Sequence, residues 1–334
     1  MHGVEISVVI PVYNSEKILP SLQARLQTIL VSTGKAFEIV YVDDGSQDAS
    51  WTVLRQLQDA NPKHVVAIQL MRNYGQHNAL MCGFRAARGQ YILTMDDDLQ
   101  HPPEEVPKLL AAIVQGDLDL VYGAYDQKQH SALKNAASWI VNRFYRIVFQ
   151  SPFTVTSFRI LRRELLETIL SYSLNFTFVD GLLAWNTRRI GEVKVSHHPR
   201  AQGRSGYRFG KLLTLALNLF TNFSLLPLQF VSFCGVSAAI GGFLLGLYYF
   251  TQYLTSNITV PGYASTIVSI LVLGGLQLLG LGIMGEYVGR LHLNVNRKPQ
   301  YGIRCVLSSD TDQQKERLRG QYLDANRDAG NRAA

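Results

Sequence analysis

Short apolar runs alternate with stretches of helical periodicity over the first third of the chain. The runs at 6–12, 37–42, 65–70, 91–95 and 118–122 are bounded by turn residues, which predicts strands. Between them, 16–30, 49–60, 76–87 and 103–115 repeat apolar positions every three to four residues and predict helices. This alternation predicts an α/β domain, a mostly parallel sheet with helices on both faces. Ligands of such folds bind at the carboxyl ends of the strands. The residues standing there are Pro11-Val12-Tyr13-Asn14, Asp43-Asp44-Gly45-Ser46, Arg72-Asn73-Tyr74-Gly75 and Asp96-Asp97-Asp98.

The pattern changes late in the chain. No Asp, Glu, Lys, Arg or His occurs in residues 212–285. Two stretches there, 228–250 and 264–288, reach the length of about 20 apolar residues that a membrane-spanning helix needs. A short loop with Asn257, Pro261 and Gly262 separates them. A transmembrane hairpin is therefore expected, and a buried helical hairpin in a soluble protein is the poorer account of so long an uncharged stretch. Arg204, Arg208 and Lys211 precede it, Arg290, Arg297 and Lys298 follow it, and the loop has no Lys or Arg. The positive-inside tendency then puts the large domain and both termini on the cytoplasmic side of the inner membrane. No signal peptide is expected, because the apolar run at 6–12 is short and broken by Pro11.

The expected organisation is a cytoplasmic domain (1–205), a juxtamembrane interfacial helix (206–227), two spans (228–290) and a cytoplasmic segment (291–334) whose tail from 308 is polar and mobile. Residues 131–149 carry apolar positions near one face, which suits an interfacial helix and a core-facing one equally. Small residues in the spans allow close helix–helix contact, and a two-helix anchor leaves room for a homo-oligomer.

Composition narrows the chemistry. With 47% hydrophobic residues among 334, the chain is neither disordered nor fibrous. Cys82, Cys234 and Cys305 are too few and too scattered for a disulfide framework or a zinc site. Residues 1–127 carry 9 basic and 15 acidic side chains, whereas 128–211 carry 14 and 4. Next to a membrane segment, that basic stretch suits anionic head groups or phosphorylated ligands rather than nucleic acid. No G-x-G-x-x-G follows the first strand and no G-x-x-x-x-G-K-[ST] occurs anywhere, which sets aside dinucleotide enzymes and P-loop NTPases.

Without a glycine cradle, another group must neutralise a bound phosphate. Asp96-Asp97-Asp98 repel one another unless a cation sits among them, and hard oxygen ligands suit Mg²⁺ or Mn²⁺ shared with substrate phosphates. On an extended segment Asp96 and Asp98 point the same way and Asp97 elsewhere. The competing reading is an acidic helix N-terminus before His101-Pro102-Pro103-Glu104, favoured by the helix dipole. The second carboxylate pair, Asp43-Asp44, at another strand end favours a site.

Four motifs then match in order and spacing: Val8-Val9-Ile10-Pro11-Val12-Tyr13-Asn14, Val42-Asp43-Asp44-Gly45-Ser46, Arg72-Asn73-Tyr74-Gly75-Gln76-His77-Asn78-Ala79 and Asp96-Asp97-Asp98-Leu99-Gln100-His101-Pro102-Pro103-Glu104. With the hairpin and Gly285-Glu286-Tyr287-Val288-Gly289-Arg290, they resemble the family 2 glycosyltransferases of the GT-A (Rossmann-like) fold. Within that family they are similar to the polyprenyl-phosphate glycosyltransferases, the bacterial undecaprenyl-phosphate group more than the dolichol-phosphate one. The resemblance implies metal-dependent, inverting transfer of a sugar from a nucleotide-sugar donor, UDP-linked for preference, to a polyprenyl (undecaprenyl) phosphate. Pro11, Tyr13, Val42 and Asp44 would hold the nucleotide, Asp96, Asp97 and Gln100 would also bind the nucleotide sugar, and Asp96, Asp98 and Gln100 would hold the Mg²⁺ or Mn²⁺. Lys134 would lie near the donor phosphates. Arg200, Arg204, Ser205 and Arg208 would hold the lipid phosphate, with Asp96, Asp98, Arg200 and Arg204 carrying the reaction.

The chain departs from the family in three places. Ser15 replaces the usual Glu, Arg204 stands in a stretch that usually has Lys, and 154–159 lacks the Asp that precedes Phe-Arg. A phosphate acceptor is already largely a dianion at pH 7, so it needs no general base where a hydroxyl would. The alternatives are a processive polysaccharide synthase, a hydroxyl-directed transferase, or a non-catalytic membrane binding protein. A synthase usually has more spans and a Gln-x-x-Arg-Trp motif that is missing here.

Overall fold

The computed structural model describes residues 3–125, 155–172, 177–196, 226–255, 263–295 and 299–309. Lys134, Arg200, Arg204, Ser205 and Arg208 lie outside the described residues, as do the segments 131–149 and 210–225 and the tail from 310. The chain divides into two compact units, Met1–Gly206 with Arg297–Ala334, and Tyr207–Asn296.

The first unit is built on one sheet of eight strands in the order β7-β5-β6-β4-β1-β2-β3-β8. Its centre is parallel and buried: β1 (Ile6–Val12), β2 (Phe37–Asp43), β3 (Val65–Leu70) and β4 (Tyr91–Thr94). Every residue of β1, β2 and β4 is buried, as expected where helices cover both faces and alternation disappears. The crossover helices are α1 (Leu19–Ser32), α2 (Ser50–Ala60) and α3 (Gln76–Ala86). A 3-10 turn (Pro103–Glu105) leads into α4 (Val106–Gln115), before β5 (Leu120–Ala124).

Beyond this centre the sheet is mixed, with four parallel and three antiparallel pairings in all. Strand β6 (Arg159–Arg162) runs antiparallel between β4 and β5. The helices α5 (Arg163–Leu170) and α6 (Val179–Asn186) follow, and then β7 (Ile190–Lys194), parallel to β5. Strand β8 (Ile303–Leu307) comes from the far end of the chain and lies antiparallel to β3. It was not expected from the apolar pattern.

The chain reverses its winding around β1, which has β2 on one side and β4 on the other. Such a switch point leaves a crevice at the strand ends. Pairing to β4 stops at Val9–Thr94, whereas pairing to β2 continues to Val12–Asp43. Pro11, which has no N–H to give, therefore sits where β4 has already turned away. Two glycines set the depth of this end. Gly45 has φ +70°, and a Cβ on it would stand 2.5 Å from the backbone carbon of Arg72. A Cβ on Gly83 would stand 2.3 Å from Val9 Cγ1, so α3 lies directly on β1.

The second unit contains α7 (Leu226–Leu254) and α8 (Tyr263–Val295). Both are long and apolar enough to cross a membrane, by length and composition. A Cβ on Gly280 would come 3.3 Å from Val231 Cγ1, so the two helices pack closely there. The other described glycines of these helices have open space around them, so most of the small-residue positions face away from the partner helix.

Candidate active site

A cleft of about 330 Å³ opens at the switch point, within the usual range of roughly 300–1,000 Å³ for small-ligand sites. The end of β1 supplies Pro11, Val12 and Tyr13, and the end of β2 supplies Asp44. The loop after β3 supplies Asn73, Gly75 and Gln76, and the end of β4 supplies Asp96, Asp97 and Asp98. Of the described residues expected to hold the donor, Val42 and Gln100 are not on the cleft wall. Val42 is fully buried, and its Cγ2 would lie 3.2 Å from a Cβ on Gly83, so its side chain faces α3. Gln100 contributes through its backbone, donating its amide to Asp98 Oδ1 at 3.1 Å.

Each cleft carboxylate is fixed by a different element. Asp44 accepts the amides of Tyr74 at 2.7 Å and Gly75 at 2.8 Å, which ties β2 to the loop before α3. Burial pushes its pKa up to about 6, against those two hydrogen bonds. Its neighbour Asp43 is fully buried and holds the turn, accepting from the Ser46 amide and from Gln69 Nε2. Asp97 turns back to β1 and accepts from the Tyr13 amide at 3.1 Å and the Ser15 hydroxyl at 2.5 Å. Burial pushes it up to about 6 as well. Ser15 thus donates to Asp97, which a glutamate in its place does not do. Glu16, next in sequence, accepts the Ala49 amide instead.

Asp96 receives one donor on each oxygen, Gln76 Nε2 on Oδ1 and the Ser157 hydroxyl on Oδ2, both at 2.6 Å. Its pKa is raised, first by burial and then by the nearby charge of Asp98. Arg159 offsets this, but its buried guanidinium is paired with Asp180, which also accepts from the Tyr122 hydroxyl. Arg159 is therefore a supporting charge beneath the cleft rather than a phosphate ligand in it. The Gln76 and Ser157 donors are invisible to sequence reasoning, although Gln76 stands inside one of the four motifs.

The donor set bears on a metal. Among the described residues no three acidic, histidine or cysteine groups form a metal cage. Mg²⁺ and Mn²⁺ in nucleotide sites are commonly held by one or two carboxylates together with substrate phosphates. Asp96 and Asp98 are hard oxygen donors on one cleft wall, and the rise in Asp96's pKa reflects in part a like charge that a cation would relieve. The residues fit such an ion.

Fold and cleft together define a GT-A glycosyltransferase domain. The chain belongs to glycosyl transferase family 2, whose profile matches residues 7–170. It is 36% identical over 310 residues to the undecaprenyl-phosphate 4-deoxy-4-formamido-L-arabinose transferase of Pseudomonas aeruginosa (strain LESB58), covering 90% of each chain. The enzyme of the same name from Shewanella sediminis is 36% identical over 307 residues, covering 90% of this chain and 92% of that one. Among solved structures, glucosyl-3-phosphoglycerate synthase from Mycobacterium tuberculosis, in complex with Mn²⁺, UDP and phosphoglyceric acid, is 18% identical with a TM-score of 0.49. That match covers 65% of this chain and 76% of the other.

Proposed function

We propose that this glycosyltransferase moves a sugar from a UDP-linked donor to a polyprenyl phosphate, undecaprenyl phosphate by similarity to its relatives, at the cytoplasmic face of a membrane. The observation that carries this reading is an acidic nucleotide-sized cleft in a chain that is 36% identical, over nine-tenths of its length, to enzymes named for that acceptor. The two long helices support a membrane setting. Large apolar side chains such as Phe233 and Leu278 are 72% and 71% exposed on them, which suits lipid rather than water. Basic residues on both flanks and none in the loop favour the cytoplasmic orientation.

In this reading the donor's base and ribose lie along Pro11, Tyr13 and Asp44, with the diphosphate toward Asp96 and Asp98. A divalent cation on those two carboxylates supplies the charge that stabilises the departing nucleoside diphosphate. Asp97, turned to Ser15 and Tyr13, holds the end of β1 against β4. Lys134 is assigned to the donor phosphates, and Arg200, Arg204, Ser205 and Arg208 to the lipid phosphate. The acceptor oxygen attacks the anomeric carbon in line, the bond from that carbon to the diphosphate breaks, and the leaving group takes the electron pair. Inversion follows from this single displacement. A phosphomonoester with its second pKa near 6 brings its own nucleophilic oxygen, so the lack of the family's Asp in 154–159 is compatible with the reaction.

The test is mass spectrometry of the lipid product after incubating the full chain with Mn²⁺, polyprenyl phosphate and a panel of nucleotide sugars. A lipid-linked monosaccharide is expected. A polymer points to a synthase, and no product from any donor sinks the reading.

A further inference from the structure

Helix α3 is held at both ends, and its far end is held by chain that follows α8. At the near end, Gln76 donates to Asp96 and the loop before it gives two amides to Asp44. At the far end, Arg85 is only 2% exposed. Charges buried so deeply are ordinarily paired, yet Arg85 forms no ion pair among the described residues. Its Nη1 donates instead to Gln300 Oε1 at 3.2 Å and to the Tyr301 hydroxyl at 2.9 Å. The Tyr301 ring centre lies 5.7 Å from the guanidinium carbon. Gln300 in turn donates to Thr177 Oγ1 at 3.2 Å.

The same short segment also grips the loop in front of α3. The Met71 amide donates to the Gly302 carbonyl at 2.8 Å, and Arg304 Nη2 donates to the Met71 carbonyl at 3.1 Å. The fit is close: a Cβ on Gly302 would stand 3.1 Å from the Tyr74 hydroxyl and 3.2 Å from Met71 Sδ, so those side-chain ends would have to shift. An edge strand that served stability alone needs only its ladder to β3. Here residues 300–304 converge on the two segments, 71–75 and α3, that carry the partners of Asp44 and Asp96.

We propose that residues 300–304 are a positioning element of the donor site, clamping the 71–75 loop and helix α3 through Gly302, Arg304 and the buried Arg85–Gln300–Tyr301 cluster. The proposal rests on the reading of the cleft as a nucleotide-sugar site and adds the part of the chain that sets its shape. Residues 300–304 touch no reacting group, so their effect must pass through Tyr74, Gly75 and Gln76.

The test uses the full chain in detergent. Gln300→Ala and Gly302→Ala are each expected to raise the KM for the nucleotide sugar about tenfold while leaving the KM for polyprenyl phosphate unmoved. Gln300→Glu, which returns an acceptor to Arg85, is expected to restore donor KM to within about twofold of wild type. Amide exchange without ligand gives a second readout: peptides covering 71–78 should exchange about tenfold faster in the two alanine variants, with β1 and β2 unchanged. Wild-type donor KM and exchange in both variants, or an equal rise in exchange across the whole sheet, overturns the proposal. If the wild-type chain turns over no donor, the proposed function fails separately, and the exchange result alone decides this inference.

Discussion

The Ser157 hydroxyl donates to Asp96 Oδ2 at 2.6 Å, from the position immediately before Phe158-Arg159. A carboxylate at 157 would face Asp96 with like charge, whereas the hydroxyl favours its ionised form. Ser157→Ala removes a hydrogen bond to a charged acceptor, an interaction of about 1.5–3 kcal/mol. The acid limb of the kcat/KM profile should move toward neutral pH, with a loss of roughly tenfold or more near pH 6. A profile superimposable on wild type would remove Ser157 from the site.

Asp98→Ala tests the metal assignment. Transfer should fall by more than about a hundredfold, since a divalent ion contributes several kcal/mol at a developing charge. Far-ultraviolet circular dichroism and the metal-free unfolding midpoint should stay at wild-type values. Near-normal turnover by a folded Asp98→Ala protein would refute the assignment.

The Arg159–Asp180 pair should be structural. Both side chains are buried, and removing the carboxylate takes the Asp180 ion pair from a buried guanidinium. Asp180→Ala is expected to destabilise the first unit by about 3–5 kcal/mol, read from urea unfolding. A change below about 1 kcal/mol, the level of an exposed pair, would contradict this placement.

Stability near pH 5 should reflect two opposed groups, the buried Asp44 and the half-buried His77. Burial pushes the His77 imidazole down to about 4 from its ordinary 6.5, with the charge of Arg159 adding to the effect. The unfolded chain then binds more protons, so this contribution is fully present above pH 6.5 and is lost as pH falls toward 4. Asp44, raised from 3.8 to about 6, acts in the opposite sense: the folded state binds more protons, and its contribution weakens stability as pH rises from 4 to 6. His77→Phe removes the first effect alone. Its thermal midpoint relative to wild type should therefore climb steadily from pH 6.5 to pH 4, and a constant difference would show that His77 is not held neutral in the fold.

The parallel centre of the fold is legible in the sequence because each strand is a continuous apolar run between turn residues. The predicted β2 falls one residue short of Asp43, and the predicted start of β5 falls two residues early. Strand β6 is illegible because only Ile160 and Leu161 separate its charged ends, and Arg159 is made buriable by Asp180 in helix α6. Strand β8 is illegible for a different reason: its partner, β3, lies more than two hundred residues earlier. At the site, carboxylates at strand ends are readable because the sheet dictates where strand ends meet. Side-chain donors such as Ser15, Gln76 and Ser157 are not, since nothing local says which oxygen they will reach. Val42 is expected from the resemblance rather than from the strand pattern, and its side chain faces α3 in a strand buried throughout.

Strand β8 also orders events during synthesis. The ribosome delivers β1 to β7 first, then the two apolar helices, and only afterwards the residues that cover β3. Until then β3 offers an open edge of the kind that pairs with stray strands, and Arg85 lacks two of its acceptors. A nascent chain stalled or cut before residue 299 thus carries every acidic residue of its cleft and an unfinished frame around them. Completion of the catalytic domain is tied to prior passage of both long apolar helices through translation, so an enzyme molecule matures only once they have been made.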